Sequence, residues 1–163
     1  MTRWLDDDEQ RTWRKYLAMS RRLPEALDRQ TRTEAGMPAT YYIILAMLSE
    51  APSRSLRMSD LADITSSLPS RLSHAVARLE ERGWVRRERA PQDARGHLAV
   101  LTDAGMDVVV ATAPGHVAAV RRFVFDVITP EQRKALEDIC SAVLTALGEA
   151  GIAGSESDEG RTQ

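Results

Sequence analysis

A mainly helical chain with one small β-hairpin, an α+β arrangement, is the fold class predicted by the sequence, and three observations carry it. Apolar residues recur at helical spacing up to Gly83. The period then becomes extended for the length of one hairpin, and from Thr102 it turns helical again. The 163 residues suffice for one domain with its own core, or for a small module plus helices that need a partner. With 43% apolar and 28% charged residues, the composition is that of a globular chain rather than a disordered one. No apolar run is read as a membrane span, and the acidic start, Asp6 to Glu9, does not fit a signal peptide, so a cytoplasmic protein is expected. The single cysteine, Cys140, excludes an intrachain disulfide framework and a thiolate-rich zinc site.

The elements follow in order. Trp13, Tyr16, Leu17, Leu23 and Leu27 lie on one stripe of a first helix between Asp6 and Thr33, bent at Pro24. Tyr41, Ile44, Leu45 and Leu48 define a short buried second helix. Ser59 caps a third helix that turns Leu61, Ala62 and Ile64 inward. After the break at Thr65-Ser66-Ser67, a fourth helix starts near Pro69, buries Leu72, Val76 and Leu79, and stops at Gly83. Trp84 to Arg89 and His97 to Leu101 form the hairpin. Met106, Val110, Ala113, Val117, Val120, Val124 and Val127 then make a heptad seam on a long helix kinked at Pro114-Gly115. Thr129-Pro130-Glu131-Gln132 is a capping box for a last helix with Leu136, Cys140, Val143 and Leu147 on its stripe.

The charge distribution points to a partner. Between Arg54 and Thr102 nine arginines stand against six acids, a net +3, while the rest of the chain carries 13 cations against 18 acids, a net −5. A basic middle in an acidic protein suits a DNA-reading module on a non-contacting scaffold. With its apolar side turned inward, the fourth helix presents Ser70, Arg71, Ser73, His74 and Arg78, all hydrogen-bond donors suited to base edges and phosphates. Helix, turn, helix and Arg-rich hairpin in this order form a winged helix-turn-helix. Arg86 and Arg87 in the hairpin, and Asp93 and Arg95 near a tip freed by Gly96, complete the expected DNA surface. Arg71, Arg86, Arg87 and Arg95 are expected on one side of it. Arg95 fits the narrow minor groove, with Asp93 fixing its approach.

Residues 57 to 105 resemble the DNA-binding core of the MarR family of bacterial transcriptional regulators. The likeness rests on Leu61-Ala62, the run from Leu72 to Val85, the wing motif Asp93-Ala94-Arg95-Gly96, and Leu101-Thr102-Asp103-Ala104-Gly105; the helix order extends it to about residues 10 to 147. Leu68, where a polar cap is common, and Ala94, where a second basic residue is frequent, depart from the pattern. The resemblance implies a homodimer with interlocked terminal helices that reads a pseudo-palindromic operator as a repressor. It also implies a cleft between dimerisation helices and winged domain for a small aromatic or carboxylate effector, lined by Trp13, Tyr16, Met37, Tyr41, Tyr42 and His116. The division expected is helices 1–50, winged module 54–102, dimerisation helices 103–148 and a mobile acidic tail 149–163.

Other chemistry is weakly represented. His74, His97 and His116 have no partner at metal-ligand spacing, and there is no phosphate loop or nucleophile-base pair, so neither metal, cofactor nor enzymatic activity is expected. Cys140 is expected to be a buried structural thiol. The rival readings are a redox- or metal-responsive regulator and a winged helix used only to bind protein.

Overall fold

The computed structural model describes the backbone of residues 1–90 and 93–156 and the side chains of 1–90 and 96–148. Helix α1, Asp7–Ala35, opens with a capping box: the Glu9 amide donates to Asp6 Oδ1 at 2.8 Å, and the Asp6 amide donates to Glu9 Oε2 at 2.9 Å. Pro24 lies inside this helix without ending it. The carbonyl that Pro24 leaves without an amide belongs to Ser20, an exposed position where water can take the bond. Gly36, at φ 65°, closes the helix in the left-handed conformation that glycine adopts at least cost.

Helix α2, Ala39–Glu50, follows at once, and its start is tied back to α1. Asp28 accepts from Arg32 Nε at 2.6 Å and, across the corner, from the Ala39 amide at 2.9 Å. These bonds, that from Arg32 first, hold the Asp28 carboxyl below its usual range. Beyond it Tyr42, Ile44, Leu45 and Leu48 are buried at the centre of the core.

The winged module is built around that helix. Strand β1, Ser55–Arg57, leads into helix α3, Met58–Ile64, and helix α4, Pro69–Glu81; strands β2, Val85–Ala90, and β3, Asp93–Leu101, complete an antiparallel sheet in the order β1-β3-β2. Leu61 from α3, Leu72, Val76 and Leu79 from α4, and Val85, Ala99 and Leu101 from the strands close on α2. Two expectations are corrected here. Ser59 does not cap α3, since the N-cap is Arg57 and the Ser59 hydroxyl lies 3.3 Å from Asp60 Oδ1; Ile64 does not face inward but stands 53% exposed. The sequence reading also lacks β1, which pairs Ser55 with Val100 and Arg57 with Leu98.

The junction between wing and helix α5, Asp103–Phe123, is a tight weld. Gly83, at φ 72°, turns the chain out of α4. Thr102 Oγ1 then donates to the Gly83 carbonyl at 2.7 Å and accepts from the Gly105 amide at 3.0 Å, while the Thr102 amide donates to the Trp84 carbonyl at 3.1 Å. A Cβ on Gly105 would stand 2.1 Å from that same carbonyl oxygen and 2.6 Å from Leu101 Cδ1, so only glycine fits.

Helix α5 continues across Pro114, but the heptad seam outlasts it: the helix ends at Phe123, and Phe125–Val127 is a 3-10 turn. Asp103–Val127 is long and apolar enough to cross a membrane by length and composition, with an 18-residue window of mean hydropathy 1.3, contrary to the expectation that no run approaches a span. Met106, Val108 and Val109 nonetheless pack against the core.

The chain divides at Val120 into two compact units, and the second, from Arg121, is described by itself. Arg121 Nη2 pairs with Asp126 Oδ1 at 2.9 Å. The expected capping box forms, with Thr129 N donating to Gln132 Oε1 at 2.9 Å and Gln132 N to Thr129 Oγ1 at 3.2 Å. Helix α6, Pro130–Glu156, runs on past residue 148, after which the sequence reading places the tail; residues 157–163 lie outside the described ones. Cys140 is exposed rather than buried in the single chain.

Gly105→Ala is expected to cost about 1–3 kcal/mol, because the methyl group meets backbone that cannot move aside. Urea unfolding should show a lower midpoint with an unchanged slope.

Candidate nucleic-acid interface

Helix α4 owes its place to one apolar face, Leu72, Ala75, Val76 and Leu79, all buried. The opposite face is open: Ser70, Arg71, His74 and Arg78 are exposed, and Ser73 is half-buried. At the start of the helix Leu68 is the N-cap and supplies no side-chain hydrogen bond. Ser67 does not take over the role, because its hydroxyl is turned to the Thr65 carbonyl at 3.3 Å. With Pro69 in the first helical position, the Ser70 and Arg71 amides are left uncapped at the positive end of the helix. Arg78 Nη1 meets Glu81 Oε2 at 2.9 Å on the surface.

The two hairpin arginines are separated by strand geometry. Successive residues of β2 point to opposite faces, so Arg86 and Arg87 cannot share one. Arg86, exposed, pairs with Glu88 at 2.6 Å. Arg87 turns toward α4, where its Nη2 donates to the Ser73 carbonyl at 2.8 Å, its Nε lies 3.0 Å from Glu80 Oε2, and its amide donates to Glu80 Oε1 at 2.8 Å. The expectation of Arg71, Arg86, Arg87 and Arg95 on one surface is therefore corrected. Arg87 braces the hairpin against the recognition helix. Strand β3 begins at Asp93, opposite Ala90, while the side chains of Asp93 and Arg95 lie outside the described residues.

Between the starts of α3 and α4 and the outer part of the hairpin lies a cleft of about 480 Å³, lined among others by Arg57, Ser59, Ser73, Arg87 and His97. His97 stands opposite Arg89, so both share the face of Arg87. The sequence reading does not place Arg57 or Arg89 in the site, and it names Ser59 only as a helix cap and His97 only as a weak metal candidate. The signal for Arg89 was present, since it lies two residues from Arg87 in an extended run.

The residues expected to hold a ligand fall in three places. Trp13 and Tyr16 stack on each other at 5.5 Å on the N-terminal half of α1, both about half exposed. Tyr42 meets His116 at 4.7 Å between ring centres; burial lowers the His116 pKa, and its buried Nδ1 has no hydrogen-bond partner. Tyr41 and Trp84 flank the Arg82 guanidinium at 5.7 and 4.9 Å. Among the described residues no group of three or more His, Cys, Asp or Glu is placed to hold a metal.

An uncapped helix with donors along its open face, a helix packed behind it and a three-stranded wing beside it define a winged-helix DNA-binding protein. Residues 35–96 match the model of the MarR family. A MarR family transcriptional regulator of Streptomyces coelicolor, Sco3205, solved in complex with DNA, is 53% identical over 90% of this chain and 92% of its own, with a TM-score of 0.86. AbsC, a MarR family regulator of the same organism, is 40% identical over 91% of this chain and 99% of its own, with a TM-score of 0.85. PcaV, also of Streptomyces coelicolor and solved with its natural ligand, is 24% identical over 79% of this chain and 91% of its own, and its TM-score of 0.67 expresses a shared fold. No curated protein sequence matches the chain. The chain belongs to the MarR family and is a DNA-binding transcriptional regulator, not an enzyme.

Arg87→Ala is expected to lower stability by about 1–3 kcal/mol, since it leaves the half-buried Glu80 without its cation and removes the side-chain donor to the Ser73 carbonyl. Arg86→Ala, which removes an exposed pair, should stay within about 0.5 kcal/mol of the parent in the same thermal melts.

Proposed function

We propose that the protein is a cytoplasmic homodimeric repressor that reads a pseudo-palindromic operator and is released from it by a small organic ligand. The observation that carries the reading is the open face of α4, which holds Ser70, Arg71, His74 and Arg78 and no acid before Glu80. Arg71 would pair with a guanine in the major groove, and the uncapped amides at the helix start would receive a phosphate. Arg89 and His97 would meet the backbone from the outer part of the wing, and Arg95, with Asp93, would enter the minor groove from the tip. The DNA complex of Sco3205 supports this reading.

The dimer is argued from exposed apolar rows. Tyr16, Leu17 and Met19 on α1, Val110 and Val117 on α5, and, in the second unit, Ile139, Val143, Leu144 and Leu147 on α6 are each more than 40% exposed in the single chain, apolar surface on each unit that a second copy would cover. Two reading heads about 34 Å apart would then enter successive major grooves, and a ligand that favours another spacing would release DNA. PcaV, which shares the fold, carries a natural ligand.

The test is titration of the protein onto a fragment recovered by sequencing bound genomic DNA. Two chains should bind per duplex, and Arg71→Ala should lose about 1–3 kcal/mol together with preference at one base position in each half-site. Binding by a single chain, or unchanged affinity and preference in the folded variant, would contradict the reading.

A further inference from the structure

A second cavity, of about 240 Å³, lies between the C-terminal half of α1 and the middle of α5. Its walls include the apolar side chains of Met37, Trp84 and Val108, and the one charged group among its lining residues is Glu34. Glu34 Oε2 accepts from Gln30 Nε2 at 2.8 Å, and among the described residues the carboxylate makes no ion pair. Its position depends on Gly115: a Cβ there would stand 2.2 Å from Glu34 Oε2, so the carboxylate occupies the space that a side chain on α5 would fill. The cavity therefore offers apolar walls and one exposed carboxylate whose only partner among the described residues is a neutral amide. Arg82, the cation stacked on the Trp84 ring, does not line it.

We propose that this cavity is a binding site for a small organic cation, an amine on an aromatic or compact apolar body. The proposal rests on the ligand-responsive reading above and gives the effector its charge. The ammonium group would donate to Glu34, and the body would lie against Trp84 and Val108. A carboxylate of the same shape would face Glu34 with no cation among the lining residues to compensate, so the site selects against it. At about 30 Å³ per water-sized group, the volume admits a molecule of roughly eight non-hydrogen atoms. The site is also placed to act on DNA binding: Trp84 follows the turn that ends α4, carries Arg82 on its ring, and holds the start of α5 through its carbonyl.

The experiment uses two probes of like size and opposite charge, phenethylamine and phenylacetate, titrated into the full-length protein by calorimetry at neutral pH. Phenethylamine should bind at least tenfold tighter than phenylacetate. Glu34→Gln should weaken the amine at least tenfold. Gly115→Ala, whose methyl displaces only the flexible end of Glu34, should do the same in a protein that melts as the parent does. Phenylacetate binding as well as the amine, or amine binding untouched by both substitutions, would overturn the proposal. A fragment-binding arm separates it from the reading it rests on. Amine binding that depends on Glu34 but leaves DNA affinity unchanged supports the cation site and contradicts the effector role. Release of DNA by other small molecules with no amine binding does the reverse.

Discussion

Where α5 leaves the wing, its backbone passes so close to the Trp84 carbonyl that position 105 has no room for a Cβ, and the structure around it is arranged to keep that contact. Thr102 gives its hydroxyl to the Gly83 carbonyl and its amide to Trp84, and it receives the Gly105 amide in return. One residue thus joins the turn that ends the recognition helix to the first turn of α5. The direction in which α4 presents its donors is set relative to α5 by these short contacts of backbone and one threonine hydroxyl rather than by long side chains. That matters for a protein whose binding depends on where a helix enters a groove, because backbone contacts leave few alternative arrangements.

Two further ties hold the head to its surroundings. Arg87 and Glu80 fasten β2 to the last turns of α4, and Asp28 fastens the start of α2 to α1. Each places a partly buried charged group where more than one partner matches it, a setting in which such bonds are worth more than a fully exposed pair. The basic character of the middle of the chain therefore has two uses. Arg71 stands open on the surface, whereas Arg87 carries its charge within the module.

Much of this was legible in the sequence, and the exceptions share a cause. The helices of the module, the change of period after Gly83 and the capping box at Thr129 were readable because each is a local pattern whose residues contact near neighbours in the chain. Strand β1 was not, since three residues have no measurable period and their partner, β3, lies more than 40 positions away. The end of α5 at Phe123 was hidden because the heptad of valines runs on to Val127 with no Gly or Pro at the break, while Pro114, the expected interruption, sits where the carbonyl it frees, that of Val110, is on an exposed residue. In the site, the donors of α4 followed from the face opposite its apolar stripe. The role of Arg87 did not, because an arginine that meets a phosphate and one that meets Glu80 look alike until its partner is placed; only strand alternation separates it from Arg86.

Native-state hydrogen exchange at the amides of Thr102, Gly105 and Met106, followed against those of Leu79 and Ala99, tests most directly whether head and α5 form one unit. All three amides are hydrogen-bonded at the junction, to Trp84, to Thr102 Oγ1 and to the Thr102 carbonyl. The account predicts that they open with the same free energy as the core amides of α4 and β3. Rapid local exchange at the junction, with α4 and β3 still protected, would show that the recognition helix is not fixed to α5 and would contradict it.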